Sequence, residues 1–170
     1  MNTLLQNTDL SFQLLAIQPE HDEALYHVIR NVLIEIGENK EGTVFVDESI
    51  KKLSHHFHGN GKCYFVAKAG QKILGGCGIA PLDGAPTTGY CELQRMFLLP
   101  EGRGNGAAKE LMKNCLTFAK DHGYTHCYIE TMESMERAVR LYKSFGFEAI
   151  EKPLGNTGHH ACKHRMLKKL

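Results

Sequence analysis

Three glycines at alternate positions, Gly102, Gly104 and Gly106, follow a run that ends at Leu99-Pro100 and precede Ala107-Ala108. If a strand ends there and a helix starts there, free backbone N–H groups and the positive helix end meet where absent side chains permit close approach. That combination binds an anion, a pyrophosphate above all. Two overlapping motifs read it: Gly102-x-Gly104-x-x-Ala107, the Gly/Ala form of the dinucleotide fingerprint with Glu130 near ribose-binding distance, and Arg103-x-x-Gly106-x-Ala108. Histidine supplies the other chemistry-bearing clusters, His55-His56-x-His58 and His159-His160-x-Cys162-x-His164. Neither has an established zinc spacing, and on a strand His160, Cys162 and His164 share a face that His159 does not, so no metal is expected.

The elements that must position these residues follow from periodicity. A short strand over 12–18 precedes a helix whose apolar positions Leu25, Val28, Ile29, Val32, Leu33 and Ile36 recur every 3.6 residues. A weaker helix carries Ile50, Leu53 and Phe57, with Asp47 as its N-cap. Residues 63–68 and 72–82 form a hairpin about Ala69-Gly70-Gln71. Residues 90–99 read as a long strand. Strict alternation puts Cys91, Leu93, Arg95, Phe97 and Leu99 on one face and Glu92, Gln94, Met96 and Leu98 on the other. The glycine turn then feeds the clearest helix, with rows Ala107-Leu111-Cys115-Ala119 and Ala108-Met112-Leu116. A strand over 125–131, a helix over 134–145 and strands over 147–151 and 161–167 complete the order β-α-α-β-β-β-α-β-α-β-β. This is an α/β (α+β) pattern: a mixed, mostly antiparallel sheet of six to seven strands flanked by about four helices, with one parallel strand-helix-strand crossover.

Composition narrows the class. The 170 residues are 42% hydrophobic and 23% charged, with 20 Lys+Arg against 19 Asp+Glu, and fit one domain over 1–170. A chain of this size buries roughly two-thirds of its unfolded surface without needing disulfides or metal. The near-neutral balance, with basic runs no longer than Lys51-Lys52 and Lys168-Lys169, argues against a nucleic-acid surface. Residues 1–10 lack a signal-peptide pattern, and no run approaches the roughly 18 apolar residues of a membrane span. A cytoplasmic protein with no membrane partner is expected. The six cysteines form no Cys-x-x-Cys pair and lie in apolar patterns, as reduced core residues.

Context separates the two readings of the glycine turn. A dinucleotide fold needs a series of parallel βα units, whereas this turn arrives after three successive strands with about 60 residues remaining. Arg103-x-x-Gly106-x-Ala108 resembles the coenzyme A pyrophosphate loop of the GCN5-related N-acetyltransferase (GNAT) superfamily, Arg or Gln, two residues, Gly, one residue, Gly or Ala. Ala138-Val-Arg-Leu-Tyr-Lys-Ser-Phe-Gly-Phe147 is similar to that superfamily's Ala-x-x-Leu-Tyr-x-x-x-Gly-Phe segment, and Glu92-Leu-Gln-Arg-Met-Phe-Leu98 resembles the strand before the loop. The likeness covers nearly the whole chain and is of the small bacterial type. One departure is Met135, where many members carry Asn; Ser134 beside it is the substitute for that asparagine's contact with coenzyme A, and Met135 itself reads as a core residue beside Ala138, Val139 and Tyr142.

The resemblance implies an acetyl-CoA-dependent N-acetyltransferase that moves the acetyl group directly to a primary amine in a ternary complex. It implies Glu92 as general base and Tyr142 as the acid that protonates the leaving thiolate. An ordinary lysine-like amine costs about 4 to 5 kcal/mol to deprotonate at pH 7, so such a base is useful. Backbone groups of Met96, Phe97 and Leu98 would hold the pantetheine arm and the oxyanion. Amides of Arg103, Gly104, Asn105, Gly106, Ala107 and Ala108 would hold the pyrophosphate, helped by the Arg103 side chain, with the Asn105 side chain pointing outward and Lys109 and Lys143 as further phosphate partners. His159 and His160, on the turn before the last strand, are placed by the same resemblance beside the acceptor, a small-molecule or peptide amine. The family commonly forms homodimers. A nonenzymatic coenzyme A sensor of the same fold and, less favoured, a nicotinamide dinucleotide enzyme are the competing functions.

Overall fold

A computed structural model describes residues 11–170; the amino-terminal reading of residues 1–10 lies outside the described residues. β1 (Gln13–Ala16) leads through a 3-10 turn at Pro19–His21 into α1 (Asp22–Glu35), which buries Leu25, Val28, Ile29, Val32 and Leu33 on the face that periodicity assigns. The second, weaker helix is mostly 3-10, over Glu48–Lys52, followed by a single α-turn, α2 (Leu53–His56). Asp47 caps it as expected, its Oδ1 accepting from the Ser49 amide at 2.8 Å.

β2 (Cys63–Ala69), β3 (Lys72–Pro81) and β4 (Tyr90–Leu98) form an antiparallel meander, and α3 (Ala107–Asp121) crosses from β4 to a parallel β5 (His126–Thr131). After α4 (Glu136–Ser144) come a two-residue β6 (Glu148–Ala149) and β7 (His164–Lys169), which inserts antiparallel between β5 and β6. Among the described residues the result is a seven-stranded, mostly antiparallel sheet in the order β1-β2-β3-β4-β5-β7-β6 with four α-helices. Its one parallel pair is not the parallel series a dinucleotide fold requires. The last strand starts three residues later than its apolar pattern predicts, because His159 and Cys162 close a turn with a hydrogen bond of 3.0 Å.

The sheet separates two cores. Leu111, Met112 and Cys115 of α3 pack with Cys91, Leu93 and Leu98 on one face, and α1 and α2 pack with Tyr64, Val66 and Phe97 on the other. All six cysteines are free and five are buried.

The faces of β4 differ from strict alternation beyond Gln94. Gly76 pairs with Phe97 and Gly78 with Gln94, so Arg95 and Met96 together oppose Cys77, a β-bulge in which Arg95 takes φ +55°. Phe97 therefore faces the α1 side with Glu92 and Gln94, while Met96 and Leu98 join Cys91 and Leu93 against α3. Just beyond the bulge, Gly75 of β3, which pairs with Leu98, takes φ +147°, and an added Cβ there would lie 1.9 Å from the Phe97 carbonyl oxygen. Only glycine fits so close an approach.

Candidate active site

β4 and β5 begin as neighbours and then part. Among the described residues they pair only at Tyr90–His126, Cys91–Cys127 and Glu92–Tyr128, after which β5 continues against β7 and β4 against β3 alone. From Leu93 to Leu98 the second side of β4 has no strand partner among the described residues, although the Arg95 carbonyl accepts from the Tyr64 hydroxyl at 3.0 Å and the Leu98 carbonyl from Arg103 Nε. A cleft of about 760 Å³ runs along this opening, lined by Met96, Phe97 and Leu98, the glycine turn, and the amino-terminal part of α4.

At one end of the cleft, Gly104 (φ +80°) and Gly106 (φ +91°) hold left-handed conformations, and a Cβ at either would meet open space. Of the six amides assigned to the pyrophosphate, two are already used: Arg103 donates to the Pro100 carbonyl at 3.1 Å and Ala107 to Asn105 Oδ1 at 3.1 Å. The amides of Gly104, Asn105, Gly106, Ala108 and Lys109 have no protein partner among the described residues. Asn105 corrects its expected outward orientation. Its side chain folds back as a local cap, leaving Nδ2 a buried donor without a protein partner among the described residues. The Arg103 guanidinium is also committed: it makes two 2.8 Å bonds to Glu35, and its Nε donates to the Leu98 carbonyl at 2.9 Å. It fastens the loop to the end of α1 rather than facing the cleft as a free cation. Lys109 lines the cleft and Lys143 does not; Arg137 and Arg140, which the sequence reading passed over, do. Ser134 lines it too and donates to Glu38 Oε1 at 2.9 Å.

A second, small cavity of about 50 Å³ lies where the strands diverge and shares Met96, Phe97 and Met135 with the cleft. Met135 packs toward the α1-side core at this junction, not with Ala138 and Val139 as its helix position predicts. Glu92, Arg95, Glu130, Tyr142 and His159 line the small cavity. The parting of the sheet lets side chains from both faces meet there. Glu92 is 6% exposed, and burial pushes its carboxyl above the usual range against the hydrogen bond from Gln94 and the nearby His159 and Arg95. Such an elevated carboxylate is a stronger base than a solvated one. Tyr142 is buried on the apolar face of α4, and burial pushes its phenol up.

Arg95 is the residue of this cavity that sequence reasoning missed. Its side chain is 5% exposed and forms an ion pair with Asp47, with Ser49 Oγ at 3.4 Å and His159 Nε2 at 3.4 Å, while its Nε is buried without a partner among the described residues. His159 first, then the Arg95 charge and the Ser49 contacts, hold the Asp47 carboxyl well below the usual carboxylate range against its partial burial. The structure thus divides the histidine pair: His159 is half-buried on the cavity wall, 3.9 Å from Asp47, and His160 is exposed. Thr157, two residues earlier, donates to Glu130 Oε2 at 2.6 Å and ties this turn to β5. No group of three or more His, Cys, Asp or Glu side chains disposed to hold a metal occurs among the described residues, and no helix among them is long and apolar enough to cross a membrane.

Comparison with known proteins places this architecture. The Acetyltransferase (GNAT) family model matches residues 26–147. The chain is 38% identical over 152 residues to the uncharacterized N-acetyltransferase YjgM of Escherichia coli (strain K12), covering 89% of this chain and 90% of that protein. Human N-acetyltransferase 8B is 38% identical over 90 residues, 52% of this chain but only 39% of that protein. Among solved structures, a GNAT-family acetyltransferase from Staphylococcus aureus Mu50 is similar at a TM-score of 0.79 and 18% identity, covering 94% of this chain and 99% of that one. PaiA N-acetyltransferase from Thermoplasma acidophilum, solved in complex with coenzyme A, is similar at a TM-score of 0.71 and 17% identity, covering 94% and 99%. At these identities the structural likeness shows the fold.

Proposed function

The chain belongs to the acetyltransferase (GNAT) family, and from that premise we propose that it transfers the acetyl group of acetyl-CoA directly to a primary amine, with Glu92 as base and Tyr142 as acid. The observation that carries this reading is the parting of β4 and β5 at Glu92, which sets a cleft lined by the glycine turn beside a small cavity holding a buried carboxylate, the two sharing Met96, Phe97 and Met135.

Each part of the cleft and cavity has a task. The free amides of Gly104, Asn105, Gly106, Ala108 and Lys109, with the Asn105 Nδ2 donor, suit a pyrophosphate at the start of α3. The open edge at Met96, Phe97 and Leu98 suits a peptide-like pantetheine arm, which pairs with a strand as another strand would. Bound acetyl-CoA supplies the activated thioester, so no cysteine intermediate is needed. Met96 and Phe97 line both the cleft and the cavity, which supports this stretch of backbone as the site of the oxyanion donors. Glu92 takes the proton from the acceptor amine. Tyr142 stays protonated throughout the neutral range because burial raises it, so it holds a proton for the leaving thiolate as the thioester bond breaks. His159 rather than His160 is the histidine positioned to touch the acceptor.

Titration calorimetry with coenzyme A and with NAD tests the cofactor reading. Binding of coenzyme A, with amide shifts at Gly104, Gly106 and Ala108 in NMR spectra, is expected; binding of NAD but not coenzyme A overturns it. Tyr142→Phe with fully retained turnover removes Tyr142 from the acid role.

A further inference from the structure

Glu92 is held by an amide, not by a cation. Its Oε2 accepts from Gln94 Nε2 at 2.5 Å, and across that amide Gln94 Oε1 lies 3.0 Å from His56 Nε2. Gln94 shares Glu92's face because the two are alternate residues of β4 on the regular side of the bulge, and His56 reaches them from α2. A primary amide has one donating and one accepting end. With its nitrogen given to a carboxylate, its oxygen must meet a donor, which requires the His56 proton to sit on Nε2. The imidazole is half-buried and set edge-on to Phe57, ring centres 4.7 Å apart at 85°, so its plane is fixed as well.

We propose that His56 and Gln94 are positioning residues for Glu92: the imidazole fixes the Gln94 amide, and the amide engages one carboxylate oxygen so that the other is directed at the acceptor amine. This rests on Glu92 acting as the base. The arrangement keeps the carboxylate both oriented and basic, since a neutral donor lowers its proton affinity less than an arginine or lysine in the same place. Burial holds His56 below the ordinary histidine value; Arg95 and Lys62 nearby also lower it, while Gln94 and Asp47 raise it. The imidazole is therefore neutral at pH 7, and its donation to Gln94 adds no charge beside the base. The charged and titratable groups facing Glu92 itself are His159 and Arg95, which favour its ionised form, and Glu130, which opposes it.

The test needs no acceptor. Carboxyl 13C NMR of the full chain follows the Glu92 titration, assigned by its loss in Glu92→Gln, and 15N shifts report the His56 tautomer. The proposal expects the Nε2–H tautomer, an upward move of the Glu92 midpoint by about one unit in both Gln94→Met and His56→Phe, and a wild-type midpoint in His56→Gln, whose side chain still donates. The Nδ1–H tautomer, or a Glu92 midpoint unmoved in Gln94→Met and His56→Phe, overturns it. Should Gln94→Met fail to fold by circular dichroism, His56→Phe, altered nearer the surface, decides the question. Full turnover by Glu92→Gln would remove the base assignment while leaving the NMR result readable, so the two failures are distinguishable.

Discussion

Asp47 supports the small cavity from outside through Arg95, and its removal has a calculable cost. Asp47→Ala leaves the Arg95 guanidinium, 5% exposed, without its counter-charge, and deprives the Ser49 amide of its cap. Breaking a fully buried ion pair costs about 3 to 5 kcal/mol, and an exposed pair contributes roughly 0 to 1. Asp47 is 30% exposed, so water restores part of the loss, and about 2.5 kcal/mol is expected. For a chain of this length that lowers Tm by about 7 °C. The pH dependence has a definite sign. The folded-state pKa of Asp47 lies below its unfolded value, so its contribution is fully present above about pH 4 and is lost as pH falls further. Urea unfolding of wild type and variant followed by circular dichroism from pH 7 to pH 3 therefore gives a stability gap that is constant near neutrality and closes in acid. Arg95→Met combined with Asp47→Ala recovers most of the loss, because no buried charge is then left unpaired. A gap below about 0.5 kcal/mol at pH 7, the median of a surface pair, or one that does not narrow in acid, refutes the reasoning.

Four further substitutions, at three positions, separate the cleft from the cavity. Gly106→Ala costs about 1 kcal/mol or more from its φ of +91° yet meets open space, so it retains measurable coenzyme A binding, whereas Gly106→Glu abolishes binding by adding a carboxylate at an anion site; titration calorimetry and thermal unfolding read both effects. His159→Ala lowers kcat/KM for the acceptor by roughly tenfold, the scale of one lost hydrogen bond, and His160→Ala leaves it unchanged. Equal effects from the two histidines contradict the division made by the cavity wall.

The parts of the fold set by local chemistry were legible from the residues. Alternate glycines after Pro100 announced the turn, the spacing of Leu111, Cys115 and Ala119 announced α3, and Asp47 announced a cap. The rest depended on distant partners. Arginine is no marker for a left-handed residue, so nothing at Arg95 announced the bulge. Arg103 looked available until Glu35, 68 positions away, was brought against it, and the ion pair between Arg95 and Asp47 joins residues 48 apart. His159 and His160 were equivalent in sequence because which of two adjacent side chains faces a cavity is set by the turn's conformation. The bulge bears most directly on function, because it moves Met96 and Leu98 to the opposite face from Glu92 and Gln94, with Met96 left at the junction of the two spaces.

Glu92→Gln is the most direct test of the central claim, because it is nearly isosteric and keeps a polar group in the cavity while abolishing the base. Thiol release from acetyl-CoA is followed against a panel of primary amines across pH 6 to 9, alongside the affinity for coenzyme A. The account predicts coenzyme A binding within about twofold of wild type, turnover reduced by roughly 100-fold or more, and the acidic limb of the pH profile gone. Turnover and acidic limb unchanged in Glu92→Gln would contradict it.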